Sequence, residues 1–143
     1  MIKKATIVGS GLTGPLLSIL LAKKYGINTT MYERNSDIRK DPSYSGRSIN
    51  LALSERGINA LKKAGIYDSN FEKLLIPMYG RMIHDIDGQQ SFQPYGINKE
   101  QFINSVSRSE INKLLLDKAE STNKVSVNFS MKCNNINLKE RYL

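Results

Sequence analysis

The segment Gly9-Ser10-Gly11-Leu12-Thr13-Gly14 spaces three glycines as a backbone needs when it must come close to a phosphate. An acid, Glu33, stands 19 residues beyond Gly14. Each piece has a physical task. Gly9 permits a tight turn, Gly11 lets the main chain approach a pyrophosphate, and Gly14 lets a helix pack closely on a strand. Unpaired N–H groups and the dipole at the start of that helix favour an anion. Glu33 can accept hydrogen bonds from the ribose hydroxyls of an adenosine, and its charge opposes a 2′-phosphate there. The expected ligand at this turn is therefore FAD or NAD and not NADP. Arg34 either pairs with phosphate or stacks on adenine, or is an exposed arginine at a strand end.

Such a motif means little unless the right elements surround it. Ala5–Val8 is a short apolar run that reads as a buried strand. From Leu12 the spacing becomes helical, with Leu12, Leu16, Ile19 and Leu20 on one face and Leu17 and Leu21 widening it. Pro15 falls in the first turn, where a missing N–H costs little, and Gly26 is a natural stop. Thr29–Tyr32 is a second strand ending at Glu33, which completes a βαβ unit. Asn35–Ser45, with Pro42, reads as a loop. Ser54 is placed to cap a helix carrying Ile58 and Leu61 and stopping at Gly65. Met82–Ile86 and Phe92–Tyr95 flank Asp87-Gly88 as the arms of a hairpin. Ser107 and Glu110 form a capping box ahead of Ile111, Leu114, Leu115 and Ala119, and Val125, Val127 and Phe129 alternate as a strand. The expected fold is α/β. Ala5–Val8, Thr29–Glu33 and Val125–Phe129 lie parallel in a Rossmann-like sheet, into which an antiparallel hairpin is inserted.

Composition narrows the function classes. The chain has 143 residues, 40% hydrophobic and 24% charged, with a net charge of +8. That is the composition of a globular protein. Cys133 is the single cysteine, which excludes an internal disulfide and a Cys-cluster metal site. The longest mostly apolar stretch, Pro15–Ala22, is too short to span a bilayer. Lys3 and Lys4 precede an apolar stretch, but Gly9-Ser10-Gly11 and Pro15 interrupt it, so it is not read as a signal peptide. The lysines are scattered and form no stripe interleaved with aromatics, so nucleic acid is not an expected partner. A basic surface suits anionic cofactors and substrates. His84 has no carboxylate at motif spacing and is read as structural. No catalytic side chain and no metal ligand is assigned, and a reducing cytoplasmic location is expected.

Further strings carry a resemblance. They are Gly46-Arg47-Ser48-Ile49-Asn50-Leu51-Ala52-Leu53-Ser54, Arg56-Gly57, Ala60-Leu61, Gly65, Ile76-Pro77-Met78 and Arg81-Met82-Ile83-His84, then Pro94-Tyr95-Gly96 and Ser105-Val106-Ser107-Arg108 with Asn112 and Leu115-Leu116. In that order and at similar spacing they resemble the aromatic-ring flavoprotein monooxygenases, and among them the kynurenine 3-monooxygenase family. The resemblance implies non-covalent FAD, NADPH as a transient reductant, and O2 and L-kynurenine as substrates. The ring is hydroxylated beside its amino group to give 3-hydroxykynurenine, on the route of tryptophan breakdown towards quinolinate and NAD. It matches Gly9, Gly11, Leu12, Thr13 and Gly14 to the pyrophosphate turn and Glu33 and Arg34 to the ribose end. Ala52 matches a position near the flavin, and Arg108 an arginine that reaches the cofactor. Arg81 and Tyr95 match the pair that grips the substrate carboxylate, as a guanidinium fork and a phenol can do. Gly80 is expected to loosen the placement of Arg81.

The family's chain continues well past this length, into a second flavin fingerprint and the rest of a substrate-covering sheet. The implied division is 1–75 and 105–143 for FAD-binding segments and 76–104 for the start of the substrate sheet. These 143 residues alone are not expected to turn over L-kynurenine. Two other classes stay open at this point. One is another FAD- or NAD-dependent oxidoreductase on the same nucleotide fold, and the other a non-catalytic, truncated nucleotide-binding module.

Overall fold

The computed structural model of the protein describes residues 3–41, 50–98 and 100–140. Among these the elements are β1 (Lys4–Val8), α1 (Thr13–Tyr25), β2 (Asn28–Tyr32), β3 (Asn50–Leu53), α2 (Glu55–Ala64), α3 (Ser69–Glu72), β4 (Ile76–Met78), β5 (Gly80–His84), β6 (Gln90–Pro94), β7 (Ile103–Ser107), α4 (Arg108–Glu120) and β8 (Val125–Asn128). They pack as two compact units, Met1–Ser48 with Arg108–Leu143, and Ile49–Ser107. Division by packing thus falls after residues 48 and 107, whereas the expected division by role falls after 75 and 104. Gly46–Ile49, the first part of the resemblance string, and Pro42 lie outside the described residues.

The first unit carries the expected parallel sheet in the order β1-β2-β8. Numbered within the unit that is 3-2-1 read from β8, the order of one mononucleotide-binding half of a doubly wound fold. Helix α1 follows the first strand and α4 precedes the third, as expected. The buried stripe of α1 differs from the leucine face read in the sequence. It runs through Gly14, Pro15, Ser18, Ile19 and Ala22, while Leu17 is 44% exposed. Gly14, Ser18 and Ala22 recur every four residues, so one face of α1 is small and can come close to its neighbours. The larger leucines flank that face. The limit of the approach is visible at Gly14, where a Cβ would lie 2.2 Å from the Gly9 carbonyl oxygen and 3.5 Å from Ile7 Cγ2. The helix ends at Gly26, whose φ of 64° is left-handed and whose N–H donates to Ala22 O.

Beyond β2 the chain is tied to the far end of α4 by one guanidinium. Arg39 forks onto the buried Asp37 through Nε (2.9 Å) and Nη2 (2.7 Å) and reaches Asp117 (2.9 Å) and Glu120 (2.6 Å) through Nη1. The hydrogen bonds from Arg39 hold the Asp37 carboxyl below its ordinary value, against the upward push of burial. The same contacts push the Arg39 guanidinium up. Its face also lies over the Phe129 ring, 5.7 Å from the centroid.

The second unit contains more strand than the sequence suggested. β3, β7 and β4 form an antiparallel sheet in the order β3-β7-β4. These strands are short, rich in Asn and Ser or interrupted by Pro77, and their partners are distant in sequence, so local pattern was a weak guide. Helix α3 was also not expected. Asp68 caps it by accepting from the N–H groups of Asn70 and Phe71, and Phe71 is buried. Ser54 does precede α2, in extended conformation, but its hydroxyl makes no capping bond. Ser107 is the last residue of β7 and leads directly into α4.

The hairpin forms with arms displaced from the expected ones. β5 pairs β6 from Gly80↔Pro94 to His84↔Gln90, which leaves Ile86 in the connection. Gly80 does not loosen this hairpin. A Cβ there would stand 2.4 Å from Phe92 Cζ and 2.5 Å from Gln93 O, so the glycine is the space that the Phe92 ring fills.

Two outcomes follow from the first unit. Gly14→Ala should cost at least about 2 kcal/mol and lower Tm in the intact protein, because the obstructing atom is backbone and cannot rotate away. Arg39→Met should cost about 3 kcal/mol by leaving Asp37 buried without its cation. Asp37 has a depressed pKa in the fold. Its contribution is therefore complete above the ordinary value of 3.8 and lost as pH falls through the lower folded one. Melting curves across this acid range should show the loss in the wild type and flatten it in Arg39→Met.

Candidate functional site

β1 ends at Val8, and the chain turns at Gly9, whose φ is 96°. The Gly9 N–H donates to Tyr32 O at 2.8 Å, so the turn begins locked to the end of β2. At Gly11 a Cβ would find no heavy atom within 4 Å. The fold itself does not require a glycine there, and the space is open to a ligand. Helix α1 then starts behind Leu12 with no side-chain cap and no acidic residue in its first turn. Among the described residues no side chain takes its first N–H groups, an arrangement that suits an outside acceptor.

Glu33 sits just past β2, with its backbone fixed on both sides. Its N–H donates to Asn128 O (2.9 Å) and its carbonyl accepts from Met131 N (2.8 Å). The side chain reaches back to the glycine turn. Oε2 accepts from Ser10 N (2.8 Å) and Ser10 Oγ (3.3 Å), and Oε1 from Asn35 N and Asn35 Nδ2, both 2.9 Å. Burial pushes this carboxyl up. The N–H groups of Ser10 and Asn35, the Ser10 hydroxyl and the nearby charge of Arg34 outweigh that and hold it below the usual range. Glu33 is thus a fixed anion.

Ser10, Gly11, Glu33, Arg34, Arg108 and Asn112 line a mainly polar cleft of about 220 Å³. Arg34 and Arg108 are both exposed, and among the described residues neither enters a salt bridge. Two exposed guanidiniums outside any of these salt bridges, beside an open helix start, suit a phosphorylated ligand. The structure therefore brings together the expected Gly9, Gly11, Leu12, Thr13, Gly14, Glu33, Arg34 and Arg108 in one unit. The sequence alone assigns no role to the partners Ser10, Asn35 and Asn112. Ser10 and Asn35 each lie beside a motif residue, and Asn112 stands four residues after Arg108, one helical turn away.

The other expected residues stand in the second unit. Ala52 is exposed on β3, opposite Ser105. Arg81 pairs across the hairpin with Gln93, and its Nε donates to Gln93 Oε1 at 2.7 Å. The ladder runs one pair past β6, since Tyr95 N donates to Tyr79 O at 2.9 Å. Alternation then sets Tyr95, two residues after Gln93, on the same face as Arg81. His84 is exposed opposite Gln90. Among the described residues no group of three or more His, Cys, Asp or Glu is placed to hold a metal. No helix there is long and apolar enough to cross a membrane.

Comparison with known proteins gives this geometry a family. The chain is 41% identical over 139 residues to the kynurenine 3-monooxygenase of Legionella pneumophila (strain Corby), covering 97% of this chain and 30% of that protein. It is 44% identical over 131 residues to that of Myxococcus xanthus, covering 92% and 28%, and 44% over 134 residues to that of Anopheles gambiae, covering 94% and 27%. The chain spans about 30% of the length of these curated relatives. In fold it is similar to p-nitrophenol 4-monooxygenase from Pseudomonas putida DLL-E4, with a TM-score of 0.74 at 17% identity, covering 95% of this chain and 34% of that one. A mutant of P. aeruginosa PqsL also gives 0.74, at 16% identity, covering 97% and 37%. Residues 3–141 match the family model described as FAD binding domain. A match of that extent makes the chain a member of the FAD-binding domain family.

Proposed function

We propose that this chain supplies the adenosine–pyrophosphate side of an FAD-dependent monooxygenase, in a protein that uses NADPH and O2 to convert L-kynurenine to 3-hydroxykynurenine. The observation that carries the reading is 41% identity across 97% of the chain to a protein named for that reaction. It favours this enzyme over an NAD-dependent dehydrogenase on the same nucleotide fold. Residues 1–75 and 105–143 then serve FAD and 76–104 begin the substrate sheet. The single cysteine, Cys133, fits a reducing compartment such as the cytoplasm.

FAD when bound supplies the oxygen and electron chemistry, and the protein positions it and excludes water. The open space at Gly11 and the uncapped start of α1 fit the pyrophosphate, with Gly9, Leu12, Thr13 and Gly14 shaping the turn. Arg108 and Arg34 offer cations to it. Glu33 would take a ribose hydroxyl in place of its longest hydrogen bond, the 3.3 Å contact from Ser10 Oγ. Ala52 would lie near the flavin. Arg81, with Nε held by Gln93, keeps both terminal nitrogens for a carboxylate, and the Tyr95 hydroxyl adds one donor.

The test is kynurenine-stimulated NADPH oxidation by the full-length yellow protein, with 3-hydroxykynurenine as product. A colourless protein that binds NAD instead would overturn the reading. Gly11→Ala should leave the melting temperature of the FAD-free protein unchanged and weaken FAD about tenfold or more, since its methyl group meets nothing but ligand. Arg81→Ala should raise KM for L-kynurenine by about 10–100-fold, and Tyr95→Phe by about 5–10-fold, with FAD affinity retained in both.

A further inference from the structure

Asn112 lies on α4 one turn past Arg108, on the face that borders the cleft. Its amide faces two acceptors, the carbonyl oxygens of Ser10 and Gly11. The nitrogen is therefore the end that belongs there, and it donates at 3.0 and 3.3 Å. One amide nitrogen has two hydrogens, enough for both.

These carbonyls have a reason to need a side-chain donor. In a helix each carbonyl accepts from the N–H four residues on, as Leu12 O does from Leu16 N at 3.4 Å. The corresponding residue for Gly11 is Pro15, which has no N–H. Ser10 precedes the helix altogether and is 4% exposed, so water is a poor substitute.

The orientation has a consequence on the other side of the same peptides. In a trans peptide the C=O and N–H point in opposite directions. The Ser10 carbonyl shares its plane with the Gly11 N–H, and the Gly11 carbonyl with the Leu12 N–H. Drawing both carbonyls towards α4 turns both N–H groups away from it, side by side. We infer that Asn112 is a positioning residue for the cofactor: it fixes the Gly11 and Leu12 N–H groups in the orientation that receives the FAD pyrophosphate. The inference rests on the proposed placement of FAD at this turn. Arg108 and Asn112 together make one helix face that supplies a cation to the ligand and a clamp to the loop holding it.

The test uses the full-length protein after removal of its flavin, as wild type, Asn112→Ala and Asn112→Asp. Asp keeps the shape and removes the donor, while Ala suits a helix and should fold. Three quantities are read: FAD affinity by quenching of flavin fluorescence, hydrogen exchange in the peptide spanning Gly9–Thr13 without FAD, and melting temperature without FAD. The expected result is FAD binding weakened about tenfold or more in both variants, faster exchange in that peptide, and a modest fall in melting temperature from the carbonyls left without their donor. Wild type that binds no FAD defeats the reading on which the inference rests. Wild type that binds FAD, with both variants within twofold of it, defeats the inference alone. Weaker binding that merely tracks a fall in melting temperature, with exchange in the turn unchanged, also defeats it.

Discussion

The carboxylate of Glu33 joins two stretches of chain that must hold a fixed relation for any dinucleotide to bind. One is the turn after β1, taken by its Ser10 N–H and hydroxyl; the other is the segment past β2, taken by Asn35. Parallel pairing between β1 and β2 brings these ends together, and the Gly9 N–H to Tyr32 O bond closes the join. A charge-assisted clamp of four hydrogen bonds leaves little freedom between the site that meets phosphate and the site that meets ribose. The small face of α1, the exposed Arg34 and Arg108, and the Asn112 amide all act on a turn that Glu33 has already set.

The same residue shows that recognition and construction need not be separate. A carboxylate that only awaited a ribose would be solvated and free to rotate. Here it is held ionised and oriented in advance, so less order has to be imposed when a ligand arrives. Arg39 does the equivalent at the C-terminal end of α4, where one planar group satisfies three carboxylates and fixes that helix against the loop after β2.

The nucleotide half was legible in the sequence because its signals are local. Gly9 and Gly14 owe their identity to backbone demands within one turn, Gly11 to space left open beside that turn, and Glu33 to the strand end that follows. On α1 the expected face holds only at Ile19, since the rest of the buried stripe is the small Gly14, Ser18 and Ala22 with Pro15, whereas hydrophobicity points to the leucines. The β3-β7-β4 sheet was missed because strands of three to five residues pair across long gaps, and no local rule registers that. Gly80 reads in the sequence as a point of looseness, whereas in the fold the Phe92 ring occupies the place of its side chain. The partners of Asn112 are main-chain carbonyls a hundred residues away, which a sequence does not display.

Helix α4 bears the Arg39 knot at Asp117 and Glu120 and faces the cleft with Arg108 and Asn112. At about 1.5 Å per residue it is a rigid ruler between the two, and at about 100° per residue it is also a dial. One residue added or removed between Asn112 and Asp117 would swing the arginine and the amide a quarter-turn away from the glycine loop while the knot stayed in place. The length of this helix is thereby constrained more tightly than most of its individual side chains.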